Sequence, residues 1–237
     1  MKNKNIAIVI PSYNEVKNIS ILMKGINKYL LGSRIIIVDD SSVDENLKLK
    51  TMVKNKSNII LISRFKKAGR GSAVIEGFKE ALKNKDIEYV FEMDSDLAHD
   101  PQELSRFINK ISIEKYDLVI GSRYLPGGRI KNIAKNRTIL SRVINIFLRR
   151  WLGISVSDFT SGFRLYSRDA IKYLTQTKIK ATGFITLSEV LYKLHKKNFT
   201  IGEVPITWNF RKYGKSNVNS AELINSLLFV LKMRFVD

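Results

Sequence analysis

Asp94-Ser95-Asp96 stands at the end of a predicted strand, Glu88–Met93. Two carboxylates two residues apart at the mouth of a buried strand cannot both enter an apolar core. A divalent cation with oxygen ligands would relieve their repulsion, and a diphosphate would complete its shell. Asp-x-Asp alone recurs by chance; its place after a strand gives it content. Asp39-Asp40 closes another apolar run, Arg34–Asp39. Two readings are open there: acceptance of hydrogen bonds from a base or ribose, or solvated carboxylates ahead of a helix capped by Asp44. Gly69-Arg70-Gly71 has the glycines of a phosphate loop but matches neither the dinucleotide nor the Walker spacing, so it reads as a turn and helix start.

Other chemistries find little support. His195 lies between Leu194 and Lys196 on a predicted helix and reads as structural, while His99 follows the acidic motif without an assigned role. No Ser/His/Asp set is evident. The chain has no Cys, which excludes a disulfide scaffold, a zinc–cysteine site, an iron–sulfur cluster and a cysteine nucleophile. Neither an RNA-recognition pattern nor a helix-turn-helix signature is present, so nucleic acid is not an expected partner.

The elements that must position these residues alternate. Predicted strands cover Ile6–Ile10, Arg34–Asp39, Asn58–Ile62, Glu88–Met93 and Leu118–Ile120. Between them come a helix opened by a Ser12/Glu15 capping box and running to about Leu31, a polar helix over Val43–Val53, a helix over Gly71–Lys83, and one opened by Pro101. This order predicts an α/β fold with a mostly parallel sheet flanked by helices. Ligands then sit beyond the carboxyl ends of the strands. Those ends carry Pro11-Ser-Tyr13-Asn-Glu15, Asp39-Asp40, Arg64 to Gly71, Asp94-Ser-Asp96 and Gly121-Ser-Arg123, which predicts one shared crevice. Further on, an amphipathic helix is expected over 135–152, extended chain over Asp158–Tyr166, two helices, a strand over Thr200–Pro205 and a last amphipathic helix over Val218–Val236.

Charge divides the chain. Its 237 residues hold 41 Lys and Arg against 22 Asp and Glu, a net +19. Residues 1–120 carry 20 against 16, a net +4; residues 121–237 carry 21 against 6, a net +15. Arg123 to Arg150 contains eight basic residues and no acid. Such a field attracts nucleotides, nucleic acid or an anionic membrane, or it is a solvated surface that keeps the protein soluble. No run approaches the roughly 18 apolar residues of a membrane span, and the short apolar N-terminus reads as a first strand rather than a signal peptide.

In order, Pro11-Ser-Tyr-Asn-Glu15, Val38-Asp-Asp-Ser-Ser-Val-Asp44, Asp94-Ser-Asp-Leu97 and Gly121-Ser-Arg-Tyr124 resemble the inverting glycosyltransferases of GT-A fold. Gly121 to Gly128, Asn136-Arg137 with Ser141, Asp158-Phe-Thr-Ser-Gly-Phe-Arg164 and Val204-Pro-Ile with Arg211-Lys-Tyr-Gly-Lys-Ser216 resemble the dolichyl-phosphate (polyprenyl-phosphate) mannosyltransferases, the dolichol-phosphate mannose synthase group. The resemblance spans nearly the whole chain.

It implies one glycosyltransferase domain over 1–237. Residues 1–122 would form a nucleotide-sugar and metal half, and 123–237 a half facing acceptor and membrane. Pro11, Tyr13, Glu15, Val38, Asp40, Ser95 and Lys215 would contact the nucleotide sugar, with GDP-mannose the expected donor. Asp94 and Asp96 would hold Mg2+ or Mn2+. Arg123 and Arg211 would face donor or acceptor phosphates, and Arg137 and Ser141 the phosphate of polyprenyl or dolichyl phosphate. The helix carrying them would lie in the interface on the cytoplasmic face of a membrane, the protein being peripheral; a membrane-anchoring partner stays open. The chain departs from the family pattern in three places: Ala98 stands where Gln is common, Asn217 where Lys is usual, and Asp44-Glu-Asn46 replaces Asp-Gly-Thr. Two alternatives stand beside this reading: the same fold using UDP-glucose, another nucleotide sugar or another acceptor, and a phosphate- or nucleic-acid-binding module that uses the basic half.

Overall fold

The computed structural model describes residues 3–65, 68–133, 135–181, 183–209 and 228–234. Its sheet has seven strands in the order β3-β2-β1-β4-β7-β5-β8. These are β1 (Ile6–Ser12), β2 (Arg34–Asp39), β3 (Ile59–Ser63), β4 (Tyr89–Glu92), β5 (Leu118–Ser122), β7 (Arg164–Ser167) and β8 (Ile201–Pro205). β1 pairs in parallel with β2 and β4, β2 with β3, and β5 with β8. β7 runs antiparallel to both β4 and β5. The carboxyl ends of β1 to β5 therefore share one edge of the sheet. A second, two-stranded parallel sheet joins β6 (Arg129–Lys131) to β9 (Thr207–Asn209).

Alternation along the strands builds a core on each face. Ala7, Val9, Ile36, Val38 and Val90 pack under α3 (Arg70–Leu82), α6 (Arg168–Gln176) and α7 (Thr186–Lys196). Ile6, Ile8, Ile10, Ile35, Ile37 and Phe91 pack under α1 (Val16–Tyr29) and α4 (Leu104–Glu114), with Leu49 of α2 (Val43–Val53). The continuous apolar runs of β1 and β2 follow from burial on both faces.

The eighteen-residue α5 (Lys135–Leu152) divides its apolar residues between two faces. Leu148 and Leu152 join the core, with Ile144, Phe147 and Trp151 packed against it. The Trp151 indole donates to the Val230 carbonyl at 3.1 Å, so this ring faces protein. Ile139, Leu140, Val143 and Ile146 lie 48–63% exposed on the other side. No helix among the described residues is long and apolar enough to cross a membrane.

Two expectations are corrected. Ser12 belongs to β1 rather than capping a helix, and α1 begins after Glu15 with no side-chain cap and ends at Tyr29. Burial of the whole of β1 extends the strand past Pro11 and removes Ser12 from the cap position. Ser42, not Asp44, precedes the first turn of α2. β6 and β9, three residues each, are too short to be marked by pattern, and their pairing arises from tertiary placement.

Candidate active site

The loop after β4 turns sharply because Leu97 adopts φ 64°, a left-handed conformation unusual for a branched apolar residue. The turn brings the Asp96 carboxylate back onto the Ala98 N–H at 3.1 Å. His99, buried behind the loop, stacks on Phe163 at 4.9 Å and accepts the Asp94 N–H on Nδ1 at 3.2 Å. Its proton is thereby assigned to Nε2, which lies 3.9 Å from Asp94 Oδ2. Burial pushes the imidazole below its ordinary pKa against the opposing pull of Asp94 and Asp96, so the ring is a neutral brace for the acidic loop. Ser95 is buried between the two carboxylates.

Arg70, the first residue of α3, reaches this loop. Its Nε and Nη2 lie 2.8 and 2.7 Å from Asp94 Oδ1, and its Nη1 donates to Glu92 Oε1 at 2.5 Å. Glu92 Oε2 in turn accepts from the Tyr166 hydroxyl at 2.6 Å. Burial opposes the guanidinium charge, but Asp94 and Glu92 more than offset it and raise the arginine's pKa. Gly69 supplies the turn into α3 at φ 92°, a conformation natural to glycine. Gly162 permits the close approach: a Cβ there would fall 2.3 Å from Arg70 Nη2 and 3.0 Å from Asp94 Oδ2.

The nucleoside side is built on β1 and β2. Pro11 pairs with Val38 in register, and both are buried. Tyr13 is exposed and Glu15 half-buried beside Asn18. Asp39 accepts from Ser41 Oγ at 2.7 Å and Asn46 Nδ2 at 2.9 Å, and Ser41 Oγ accepts the Asn14 N–H at 2.7 Å. Asp39 thus ties the loops after β1 and β2 together. Asp40 pairs with Arg64, which approaches through Nε at 2.6 Å and Nη2 at 2.8 Å, and it also accepts the Ala68 N–H. At the end of β1, Ser12 Oγ is buried without a hydrogen-bond partner.

On the acceptor side Arg123 is not an open phosphate receptor. Its Nε and Nη2 each donate to the Asp158 carboxylate at 2.7 Å, and Nη2 also reaches Thr160 Oγ1 at 2.6 Å. Tyr124 donates its hydroxyl to Ser141 Oγ at 2.7 Å. Asn145 of α5 donates to the Ser141 carbonyl and accepts the Phe159 N–H. Arg137 lies exposed on the first turn of α5. Arg211 and Lys215 fall outside the described residues, as does Asn217. Arg70 Nη2, which holds Asp94, lies 3.5 Å from the Gly162 carbonyl, and Asn145 Nδ2 lies 3.4 Å from Thr160 Oγ1, so the 160–162 segment links the acidic loop to α5.

Asp94 and Asp96 suit a hard divalent cation: both are carboxylates, and the Asp94 side chain is 28% exposed at the strand mouth. Among the described residues no group of three or more His, Cys, Asp or Glu forms a fuller cage. Two carboxylates leave room for a diphosphate to supply the other oxygens.

Arg70, Glu92, Arg64 and Asn145 escape a reading by motif. The one signal for Arg70 is a cation beside glycines in an otherwise carboxylate-lined crevice. Glu92 carries a signal too, as an acid inside a strand of buried residues.

Comparison with known proteins agrees with this geometry. Residues 7–175 match the model for glycosyl transferase family 2. The chain is 30% identical over 225 residues to the polyprenol monophosphomannose synthase of Mycolicibacterium smegmatis, covering 94% of this chain and 84% of that protein. It is 29% identical over 212 residues to the undecaprenyl-phosphate mannosyltransferase of Micrococcus luteus, covering 89% and 86%. The crystal structure of glucosyl-3-phosphoglycerate synthase from Mycobacterium tuberculosis with Mn2+, UDP and glucosyl-3-phosphoglycerate superposes with a TM-score of 0.65 at 19% identity, covering 97% of this chain and 78% of that one. This last likeness bears on the fold, which is GT-A. A family match over most of the chain, on a GT-A sheet with its acidic loop at the strand ends, makes the protein a glycosyltransferase and a member of glycosyl transferase family 2.

Proposed function

We propose that the protein transfers mannose from GDP-mannose to a polyprenyl phosphate at an anionic membrane surface on the cytoplasmic side, with inversion at the anomeric carbon. The observation that carries this reading is the placement of α5. Its exposed apolar face, flanked by Arg137, Arg142, Arg149 and Arg150, is joined by the Tyr124–Ser141 and Asn145–Phe159 hydrogen bonds to the wall of the carboxylate site. Such a helix, lying in a membrane interface, would bring a lipid acceptor beside the chemistry. Two relatives, named polyprenol monophosphomannose synthase and undecaprenyl-phosphate mannosyltransferase, support mannose as the transferred sugar and a polyprenyl phosphate as the acceptor.

Residues 1–122 would take the donor and 123–237 the acceptor. Asp94 and Asp96 would hold Mg2+ or Mn2+, which when bound supplies Lewis-acid stabilisation of the leaving diphosphate. Tyr13, Glu15, Asp40 and Ser95 would face the nucleotide, with Pro11 and Val38 buried at the strand ends beneath it. Departure of the diphosphate builds negative charge on it and positive charge on the sugar. Arg211 and Lys215 would face that negative charge. Arg137 and Ser141 would align the acceptor phosphate, whose second pKa is about 6, so it arrives as an anion and needs no strong general base. Arg123, fixed by Asp158, shapes the wall between the two substrates.

The test is transfer of labelled sugar into an organic-extractable product. GDP-mannose and UDP-glucose are offered in parallel with a polyprenyl phosphate and Mg2+ or Mn2+, with and without chelator. Chelator-sensitive mannose transfer is expected. Glucose transfer would replace the donor; no lipid product, with nucleotide-sugar binding retained, would replace the acceptor.

A further inference from the structure

We propose that Arg70 sets the cation affinity of the Asp94/Asp96 site, keeping it low in the bare protein so that the ion binds together with the donor's diphosphate. The inference rests on reading Asp94 and Asp96 as the cation ligands.

Asp94 and Asp96 stand at the strand mouth, and a third carboxylate, Glu92, lies buried at the end of β4. Arg70 places two N–H groups on Asp94 Oδ1, at 2.8 and 2.7 Å, and a third on Glu92 at 2.5 Å. Glu92 is buried and anchored by the Tyr166 hydroxyl, and Gly162 lies close against the guanidinium, so Arg70 is held between the two carboxylates. A fixed positive charge thus sits one hydrogen bond from a proposed ligand. Like charges at that range, between walls of low polarity, repel strongly. The same guanidinium cancels the charge of Glu92, which otherwise would make a third acid near the ion. The bare protein is left with an incomplete and partly neutralised shell. The two negative charges of a diphosphate restore the balance, and loss of the nucleoside diphosphate removes it, which also lets the ion leave with product.

The experiment measures Mn2+ binding to the full chain by the electron paramagnetic resonance signal of free Mn2+, with and without GDP. Wild type is compared with Arg70→Met, Arg70→Lys and Glu92→Gln. Arg70→Met is expected to bind Mn2+ alone at least tenfold more tightly, with a smaller gain from GDP. Arg70→Lys keeps the charge and stays within about threefold of wild type. Glu92→Gln leaves the arginine charge uncompensated and binds at least tenfold more weakly. A purely structural role would weaken binding in both Arg70→Met and Glu92→Gln; that pattern, or unchanged binding in both, overturns the inference. Should thermal melts show Arg70→Met unfolded, the near-isosteric Glu92→Gln carries the test, and unchanged binding there overturns it. Wild type that binds no Mn2+ with or without GDP contradicts the cation reading of Asp94 and Asp96, and the inference with it.

Discussion

Arg123 and Asp158 form a two-point ion pair, both bonds at 2.7 Å, in which the carboxylate is fully buried. Glu203 holds the same loop from β8 by accepting from the Ser157 N–H and hydroxyl and the Asp158 N–H. Removing one partner of such a pair leaves a buried charge uncompensated, which costs about 3–5 kcal/mol. Asp158→Ala is therefore expected to lower the unfolding free energy by about that amount in a denaturant titration.

Gly162→Ala tests the packing of the acidic loop. Its methyl group would land 2.3 Å from Arg70 Nη2, so the guanidinium or the loop must shift. Overpacking of this kind costs about 1–3 kcal/mol. Transfer activity is expected to fall at least tenfold while the thermal midpoint moves only a few degrees.

The exposed face of α5 is testable apart from the fold, because Ile139 and Val143 contribute little to the core. Ile139→Asp with Val143→Asp is expected to abolish sedimentation with anionic vesicles and leave the thermal midpoint unchanged. Each basic residue near an anionic leaflet contributes about 1 kcal/mol. Neutralising Arg142 and Arg149 should then weaken vesicle binding by roughly 10–30-fold at low salt, and raised salt should erase the difference.

Arg137→Ala addresses the acceptor phosphate. The KM for polyprenyl phosphate is expected to rise at least tenfold with nucleotide affinity unchanged, as read by product formation and by calorimetry with GDP. Equal loss on both sides would remove Arg137 from the acceptor role.

The central sheet was legible because burial on both faces writes itself as apolar runs. Arg34–Asp39, Val43–Val53 and α5 occur where periodicity and run length place them. The insertion of β7 between β4 and β5 was not legible: strand order is decided by long-range packing, and Arg164–Ser167 carries no mark of its direction. The acidic loop could be found from its place after a strand. Its supports could not, since Arg70 and Asp94 lie 24 residues apart and meet only through the fold. The stripe on α5 was visible, but its division into a core face and an exposed face depends on what packs against it.

The most direct test is labelled mannose transfer from GDP-mannose to polyprenyl phosphate by Asp94→Asn and Asp96→Asn beside wild type, each with Mg2+ or Mn2+. Nearly isosteric changes preserve the loop, as thermal melts and vesicle sedimentation should confirm. Both variants are expected to lose at least a thousandfold in rate, with chelator abolishing the wild-type product. Either variant retaining more than a tenth of the wild-type rate would contradict a cation-assisted transfer at these two carboxylates.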